Sequence, residues 1–314
     1  MEAIIKAEQL IKRYSRDSQV DPALAGVDVE VEPGQLYGVV GPDGAGKTTL
    51  LRILSTVMQP TSGSARLAGF DVDKQAEQAR ALLGYMPQAF SLYPDLSVLE
   101  NLRFFADING VPRERQKVRI DELLEFARLT DFISRRSEDL SGGMRKKLAL
   151  ACALIHEPKI LLLDEPTTGV DPVSRRELWQ LLARVIQQGV TVMVSTPYMD
   201  EAERCKSVSI LYHGRVLISG APGDLERQMP FRIVEAKASP RRTLRKVADE
   251  TQGVVAWRAV GDRLRLSVRD PNEIMPRLEG SLKQEQAEVA ILREARVSME
   301  DVFIHLVETQ EVRS

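Results

Sequence analysis

The residues best placed by type and spacing to do chemistry are Gly41, Pro42, Asp43, Gly44, Ala45, Gly46, Lys47, Thr48 and Thr49, which follow the apolar run LYGVV. They fit the pattern G-x-x-x-x-G-K-[ST]. In such a P-loop, glycines tolerate dihedrals that a side chain forbids, so backbone N–H groups can turn toward phosphate oxygens. Lys47 would reach the β- and γ-phosphates and the Thr48 hydroxyl would enter a magnesium shell. The helix opening at Thr48 (TTLLRILSTVM) would aim its positive end at the same anion. The pattern implies an ATP or GTP site. A chance glycine turn would not be expected to carry both the strand before and the helix after.

Two further groups could complete such a site. KILLLDEP, residues 159–166, is a continuous apolar run that reads as a fully buried parallel strand ending in Asp164 and Glu165. Ligands of open α/β sheets sit at the carboxyl ends of strands, so both carboxylates are expected near the glycine loop. LSGGM, residues 140–144, opens a helix of strong formers with Ser141 at the N-cap. Gly142 and Gly143 would leave backbone amides bare at that helix start, which suggests a second anion site. Gln88 closes a short strand after LGYMP. Tyr14 ends the first strand, where a half-buried aromatic is the plain reading. His156, His213 and His305 read as structural or solvated.

The elements that must position these groups follow from length and patterning. The chain has 314 residues, enough for one large and one small domain. Its 43 Lys and Arg nearly balance 45 Asp and Glu, which argues against a nucleic-acid partner. No apolar run approaches a membrane span, and MEAIIKAEQL is neither a signal nor a transit peptide. A soluble cytoplasmic protein with reduced Cys152 and Cys205 is expected.

In order, residues 3–32 alternate as strands around a polar turn at 15–22, giving the edge of a sheet that leads into the P-loop strand. A hairpin is expected within 59–72 and a helix at 76–83. Helices at 97–109 and 113–129 make residues 89–150 a helical insertion. A helix at 173–188 and a buried strand at 190–195 follow, giving an α/β cassette over 1–220. APGDLERQMP reads as a linker, 221–230. Residues 231–314 then run strand, helix, strand, strand, helix, strand, with a last helix at 299–307. That βαββαβ order is the ferredoxin-like α+β plan, with no nucleotide, metal or catalytic constellation.

GPDGAGKTT, Gln88 after LGYMP, LSGGM, LLLDEP and GVDP, in this order, resemble the ATP-binding cassette of ABC transporters over about residues 3–220. The resemblance implies a P-loop NTPase of RecA-like core with a helical subdomain. TTGVDPVSRRELW, STPYMDEAE and VSMEDVFIHL look like the ATPase subunits of ABC-2 type exporters of drugs, lipids or polysaccharide. By that likeness Tyr14 stacks on adenine, the P-loop holds ATP, and Thr48, Gln88 and Asp164 organise Mg2+ and water. Glu165 polarises the attacking water. Ser141 and Gly143 contact the γ-phosphate held by a second nucleotide-binding domain, and Asp171 links the two sites. The implied partners are that second cassette, alike or different, and ABC-2 type transmembrane permease subunits on the cytoplasmic face of the membrane. A periplasmic adaptor protein is a further implied partner. Phe90, Leu92 and Tyr93, in an aromatic-rich stretch, are expected to meet a short permease helix as an exposed apolar patch. The alternatives are a soluble cassette protein acting on DNA or ribosomes and an ATP-binding regulatory subunit. A single P-loop and near-neutral charge argue against the first, and retained Glu165 against the second.

One departure from the family pattern stands after Ser195 and Thr196: Pro197 occupies the usual position of a histidine that bonds the γ-phosphate. Proline offers neither a side-chain hydrogen bond nor a backbone N–H. Losing one preorganised contact costs about 10²- to 10³-fold in rate, so binding should survive and hydrolysis should slow. Either Tyr198 or a water restores the contact, or this cassette is the slow half of an asymmetric pair. The asymmetric reading predicts that Pro197→His raises steady-state turnover of the purified protein. A brisk rate that histidine does not raise contradicts it.

Overall fold

A computed structural model of the chain describes residues 2–15, 17, 19, 21–89 and 92–311. It divides into two units, Met1–Pro222 and Gly223–Ser314. The first lays down strands β1 (Ile5–Lys12), β2 (Leu24–Val31), β3 (Leu36–Val40), β4 (Ser62–Leu67) and β5 (Phe70–Asp71). Strands β6 (Leu83–Met86), β7 (Ile160–Asp164), β8 (Thr191–Thr196), β9 (Ser207–Tyr212) and β10 (Arg215–Gly220) follow. Between them lie helices α1 (Lys47–Leu54), α2 (Ala76–Arg80), α3 (Val98–Ile108), α4 (Arg113–Ala127), α5 (Gly142–Ala153), α6 (Pro172–Gln187) and α7 (Met199–Ala202).

Every residue of β3, β7 and β8 is buried. Such strands have no solvent face to spare and belong inside a sheet covered on both sides. They form its centre, in the order β10-β9-β3-β8-β7-β6, parallel except for the β9–β10 hairpin. Register then does the positioning. Val40, at the end of β3, pairs with Thr196, while Asp164, at the end of β7, pairs with Ser195. The carboxylates and the start of the glycine loop therefore flank the same end of β8.

The first two strands depart from expectation. They do not edge the P-loop sheet but join a separate antiparallel sheet of order β2-β1-β4-β5. The cause is their one-sided burial: β2 alternates buried and open positions toward its end, whereas β3 has no open position. The insertion is helical. Ser97 caps α3 reciprocally with Glu100, and Asn101, wholly buried, bonds Tyr93 N and the carbonyls of Tyr93, Leu96 and Ser97.

The stretch read as a linker instead holds a helix, α8 (Pro222–Arg227), whose first-turn proline suits a helix start. The second unit continues with β11 (Arg232–Ser239), α9 (Arg241–Glu250), β12 (Val254–Val260), β13 (Arg263–Val268), α10 (Pro271–Gln284), β14 (Glu288–Ala295) and α11 (Met299–Glu311). Its sheet order β12-β13-β11-β14, antiparallel throughout, is the ferredoxin-like arrangement. Alternation sends Val234, Ala236, Leu264 and Leu266 into a core with Leu244 of α9 and Leu278 of α10. On the other face Glu235 accepts from Arg263, Arg265 and Arg293.

Asp301 of α11 is buried between Arg258 and Arg265, at 2.8 and 2.7 Å. Burial pushes its carboxyl up, but hydrogen bonds from Arg265, the Ser298 backbone and Arg258 outweigh that and bring it below the ordinary 3.8. A depressed carboxyl contributes stability in full above its unfolded value and loses it as pH falls through the folded one. The window is therefore below about pH 4. Asp301→Asn should cost about 2 kcal/mol in the second unit by taking a buried charged acceptor from two arginines that keep Glu300 and Glu235. It should also flatten the acid limb of thermal stability there. An unchanged melting midpoint with an unchanged acid limb would contradict this.

Candidate nucleotide site

The turn after β3 is built by its own backbone. Ala45 N donates to Pro42 O at 3.2 Å, Gly41 N to Thr196 O at 3.2 Å, and Gly214 N to Ala45 O at 3.0 Å. Gly44 and Gly46 adopt φ of +79° and +108°, the left-handed region that glycine enters without penalty. A Cβ at Gly46 would lie 2.4 Å from Ala23 O, whereas at Gly44 it would meet nothing within 4 Å. Gly46 is thus required by packing as well as by conformation. Lys47 is buried, with Nζ donating to Gly41 O at 2.9 Å and Pro42 O at 3.0 Å and pairing with Glu165 at 3.3 Å. Asp43, at 3.9 Å from that ammonium, is exposed.

The predicted carboxylates do meet this loop. Thr48 donates to Asp164 Oδ1 at 3.1 Å and Ser195 Oγ to the same oxygen at 2.6 Å. Asp164 Oδ2 is buried without a hydrogen-bond partner among the described residues. Burial pushes the Asp164 carboxyl above its ordinary value, against the bonds from Ser195 and Thr48. Glu165 stands at φ +48°, a conformation that costs a residue with a Cβ about 1–2 kcal/mol. It is held there by Ser195, whose Oγ and carbonyl accept from Glu165 N at 3.0 and 3.2 Å. Gln88 Nε2 and Thr168 Oγ1 donate to Glu165 Oε2 at 2.9 and 3.2 Å. Lys47, Thr48, Gln88, Asp164 and Glu165 thereby form one cluster. A carboxylate oxygen left unpaired beside a threonine hydroxyl fits a magnesium ion, which takes one or two protein oxygens and completes its shell with phosphate and water.

Tyr14 is exposed, and its hydroxyl lies 3.2 Å from Thr49 Oγ1 and 3.3 Å from Met58 Sδ, so its ring stands beside α1. The Ser141 turn lies against α6. Ser141 caps α5 by accepting from Met144 N, and Asp171 caps α6 by accepting from Val173 N and Ser174 N, both at 3.0 Å. A Cβ at Gly142 would have room, but at Gly143 it would lie 2.2 Å from Ser174 Oγ. Close approach of two helices, rather than bare amides alone, accounts for Gly143.

Beyond Thr196, Pro197 is followed by Tyr198, whose ring lies under the Arg175 guanidinium at 4.7 Å. Glu201, fully buried, gathers Arg175 Nε at 2.7 Å, Trp179 Nε1 at 3.1 Å and Thr196 Oγ1 at 2.5 Å. The segment carrying Pro197 is thereby tied to α6. His156 bonds Leu83 O, His213 packs on Tyr212 and His305 on Phe231. Of the expected docking residues, Phe90 lies outside the described residues. Leu92 is buried, which corrects its reading as exposed: an apolar side chain in an aromatic-rich stretch is as readily turned inward as outward. Tyr93 is half exposed against Phe104. Lys146 escaped the sequence reading altogether: in a helix of mixed lysines nothing distinguishes it, yet it is 3% exposed and meets the backbone carbonyls of Gln88 and Glu165. Among the described residues no helix is long and apolar enough to cross a membrane.

Residues 24–168 match the model of the family described as "ABC transporter". The chain is 47% identical over 231 residues to the probable multidrug ABC transporter ATP-binding protein YbhF of Escherichia coli, covering 74% of this chain and 40% of that one. It is 37% identical over 312 residues to the Nod factor export ATP-binding protein I of Cupriavidus metallidurans, covering 98% of each. Among solved structures, it is similar to an ATP-binding subunit of an ABC transporter, with a TM-score of 0.65, 29% identity and coverage of 72% of this chain and 92% of that one. A dimeric post-hydrolysis ATP-binding cassette bound to ADP and Pi gives a TM-score of 0.63, 28% identity and coverage of 69% and 98%.

The fit of Gly143 against Ser174 gives a direct test of the turn. Gly143→Ala should cost about 1–3 kcal/mol through overpacking, and Ser174→Gly in the same chain should return most of it. Additive losses in the double variant would contradict the steric account.

Proposed function

This chain belongs to the ABC transporter ATP-binding family, and from that premise we propose that it binds ATP with magnesium and hydrolyses it to drive an ABC-2 type exporter. The observation that carries the reading is the convergence of Lys47, Thr48, Gln88, Asp164 and Glu165 at one end of the central sheet. Lys47 and the loop amides would bind the triphosphate; Thr48 and Asp164 would hold the metal, with Gln88 beside them. Bound magnesium would offset charge on the phosphate oxygens. Glu165, held by Gln88, Thr168 and Lys47, orients and polarises the attacking water, which suits a reaction that asks the protein mainly for positioning and charge stabilisation.

Ser141 and Asp171, at exposed helix starts, are the residues expected to meet a second cassette. ABC-2 type permease subunits in the membrane, with this chain on their cytoplasmic face, would receive the work of closure, with Tyr93 as a contact. A periplasmic adaptor is compatible with the same assembly. The second unit is read as a regulatory or docking module. Pro197 supports the slow-site, asymmetric form of this reading, since the nearest aromatic, Tyr198, is engaged by Arg175. The same proline favours a nucleotide-sensing subunit as the second reading, and the intact setting of Glu165 argues against it.

Glu165→Gln should keep ATP affinity within about threefold while turnover falls by about 10²-fold or more, the usual worth of a positioned base. Equal turnover in the variant and the natural protein, measured with magnesium present, would contradict the assignment.

A further inference from the structure

Lysine is almost never fully buried unless something answers its charge. Helix α5 buries two in succession. Lys147 pairs with Glu177 of α6 at 2.9 Å, an ordinary interhelical ion pair. Lys146 does something different. Its ammonium lies 3.4 Å from Gln88 O and 3.4 Å from Glu165 O. Burial pulls its protonated form down, and the charges of Asp164 and Glu165 oppose that.

These two carbonyls belong to the two residues whose side chains also meet, Gln88 Nε2 to Glu165 Oε2 at 2.9 Å. The loops after β6 and β7 are thus joined twice, once through side chains and once through the ammonium beneath their backbones. The ammonium belongs to α5, whose first turn begins at Ser141. Glu165 still bonds Ser195 of β8, but nothing in the sheet joins the two loops to each other, because the β6–β7 ladder ends at the pair Met86 and Leu163. Something other than sheet hydrogen bonding must set the separation of Gln88 and Glu165.

We propose that Lys146 is a positioning residue for ATP hydrolysis, holding the backbones of Gln88 and Glu165 at the spacing that lets their side chains act together. The proposal rests on the reading of this site as an ATPase. A carbonyl–cation clamp acts on geometry rather than on nucleotide grip, because the carbonyls that Lys146 meets belong to Gln88 and Glu165 and not to the glycine loop. Its loss should therefore appear in the rate of the chemical step and not in ATP affinity. A 1 Å displacement at a reacting centre is worth about 10²-fold, and loosening two carbonyls should give at least about a tenfold loss. The position also joins α5 to the hydrolytic residues of its own chain, so a shift of the Ser141 turn would reach Glu165 through one side chain.

Lys146→Met tests this with little change of volume or helix propensity, and Lys146→Arg restores the charge. In Lys146→Met, kcat should fall about tenfold or more, with KM and the ATP dissociation constant within about threefold of the natural protein. Lys146→Arg should recover part of the loss. In crystals of the Met variant the Gln88–Glu165 hydrogen bond should be broken. An unchanged kcat, a retained bond, or a parallel loss of ATP affinity would overturn the proposal, as would a Met variant that merely melts lower. Should the Met variant not fold, Lys146→Gln is read by the same measurements. A natural protein that binds ATP but shows no turnover would overturn the ATPase reading as well, whereas normal turnover in Lys146→Met overturns only this inference.

Discussion

Four charges of two signs are buried together at one end of a sheet. Asp164, Glu165, Lys47 and Lys146 are each at most 4% exposed. An isolated buried charge is prohibitively costly, so none of them could persist there without the others. Lys47 answers Glu165 directly, and Lys146 answers the carbonyls behind it. Among the described residues Asp164 has no cation within hydrogen-bonding distance and relies on the hydroxyls of Thr48 and Ser195. One Asp164 oxygen remains unanswered by the described residues. That residual imbalance is what a metal and a polyphosphate would relieve, so the fold has been built around a charge pattern that a ligand completes.

The sheet order makes this pattern possible. Only because β8 separates β3 from β7 does Ser195 reach both Asp164 and the backbone of Glu165, while Thr196 holds Gly41. The same strand end then passes through Pro197 into a turn anchored by Glu201. Glu201 binds two side chains of α6, a helix that begins at Asp171. The segment carrying Pro197, the start of α6 and the glycine loop are consequently mechanical neighbours through β8. A proline at this point removes a hydrogen-bonding side chain but leaves the anchoring intact, since Thr196 and Glu201 make their bonds without it.

Much of this was legible in the residues themselves. Glycine loop, strand-end carboxylates and capped helix starts are local patterns, and the C-terminal unit's βαββαβ order follows from alternation and turns. What escaped was set by tertiary contact. Lys146 has the same neighbours in sequence as any surface lysine, and only the approach of α5 to two loops buries it. Gly143 reads as an open amide, yet Ser174 on another helix decides its identity. Leu92 looked like part of an exposed apolar patch because sequence gives the composition of a stretch and not its inward face. The two N-terminal strands were recognised but assigned to the wrong sheet. Pairing partners far apart in sequence are not encoded in alternation.

The central claim is that the buried charge cluster is a polyphosphate site. Calorimetric titration of the natural protein with ATP and with AMP, each with magnesium, tests it most directly. Charge-assisted bonds from Lys47 and the loop amides act on the β- and γ-phosphates, so ATP should bind about 100-fold or more tighter than AMP. Equal affinity for the two nucleotides, or no uptake of ATP, would contradict the account.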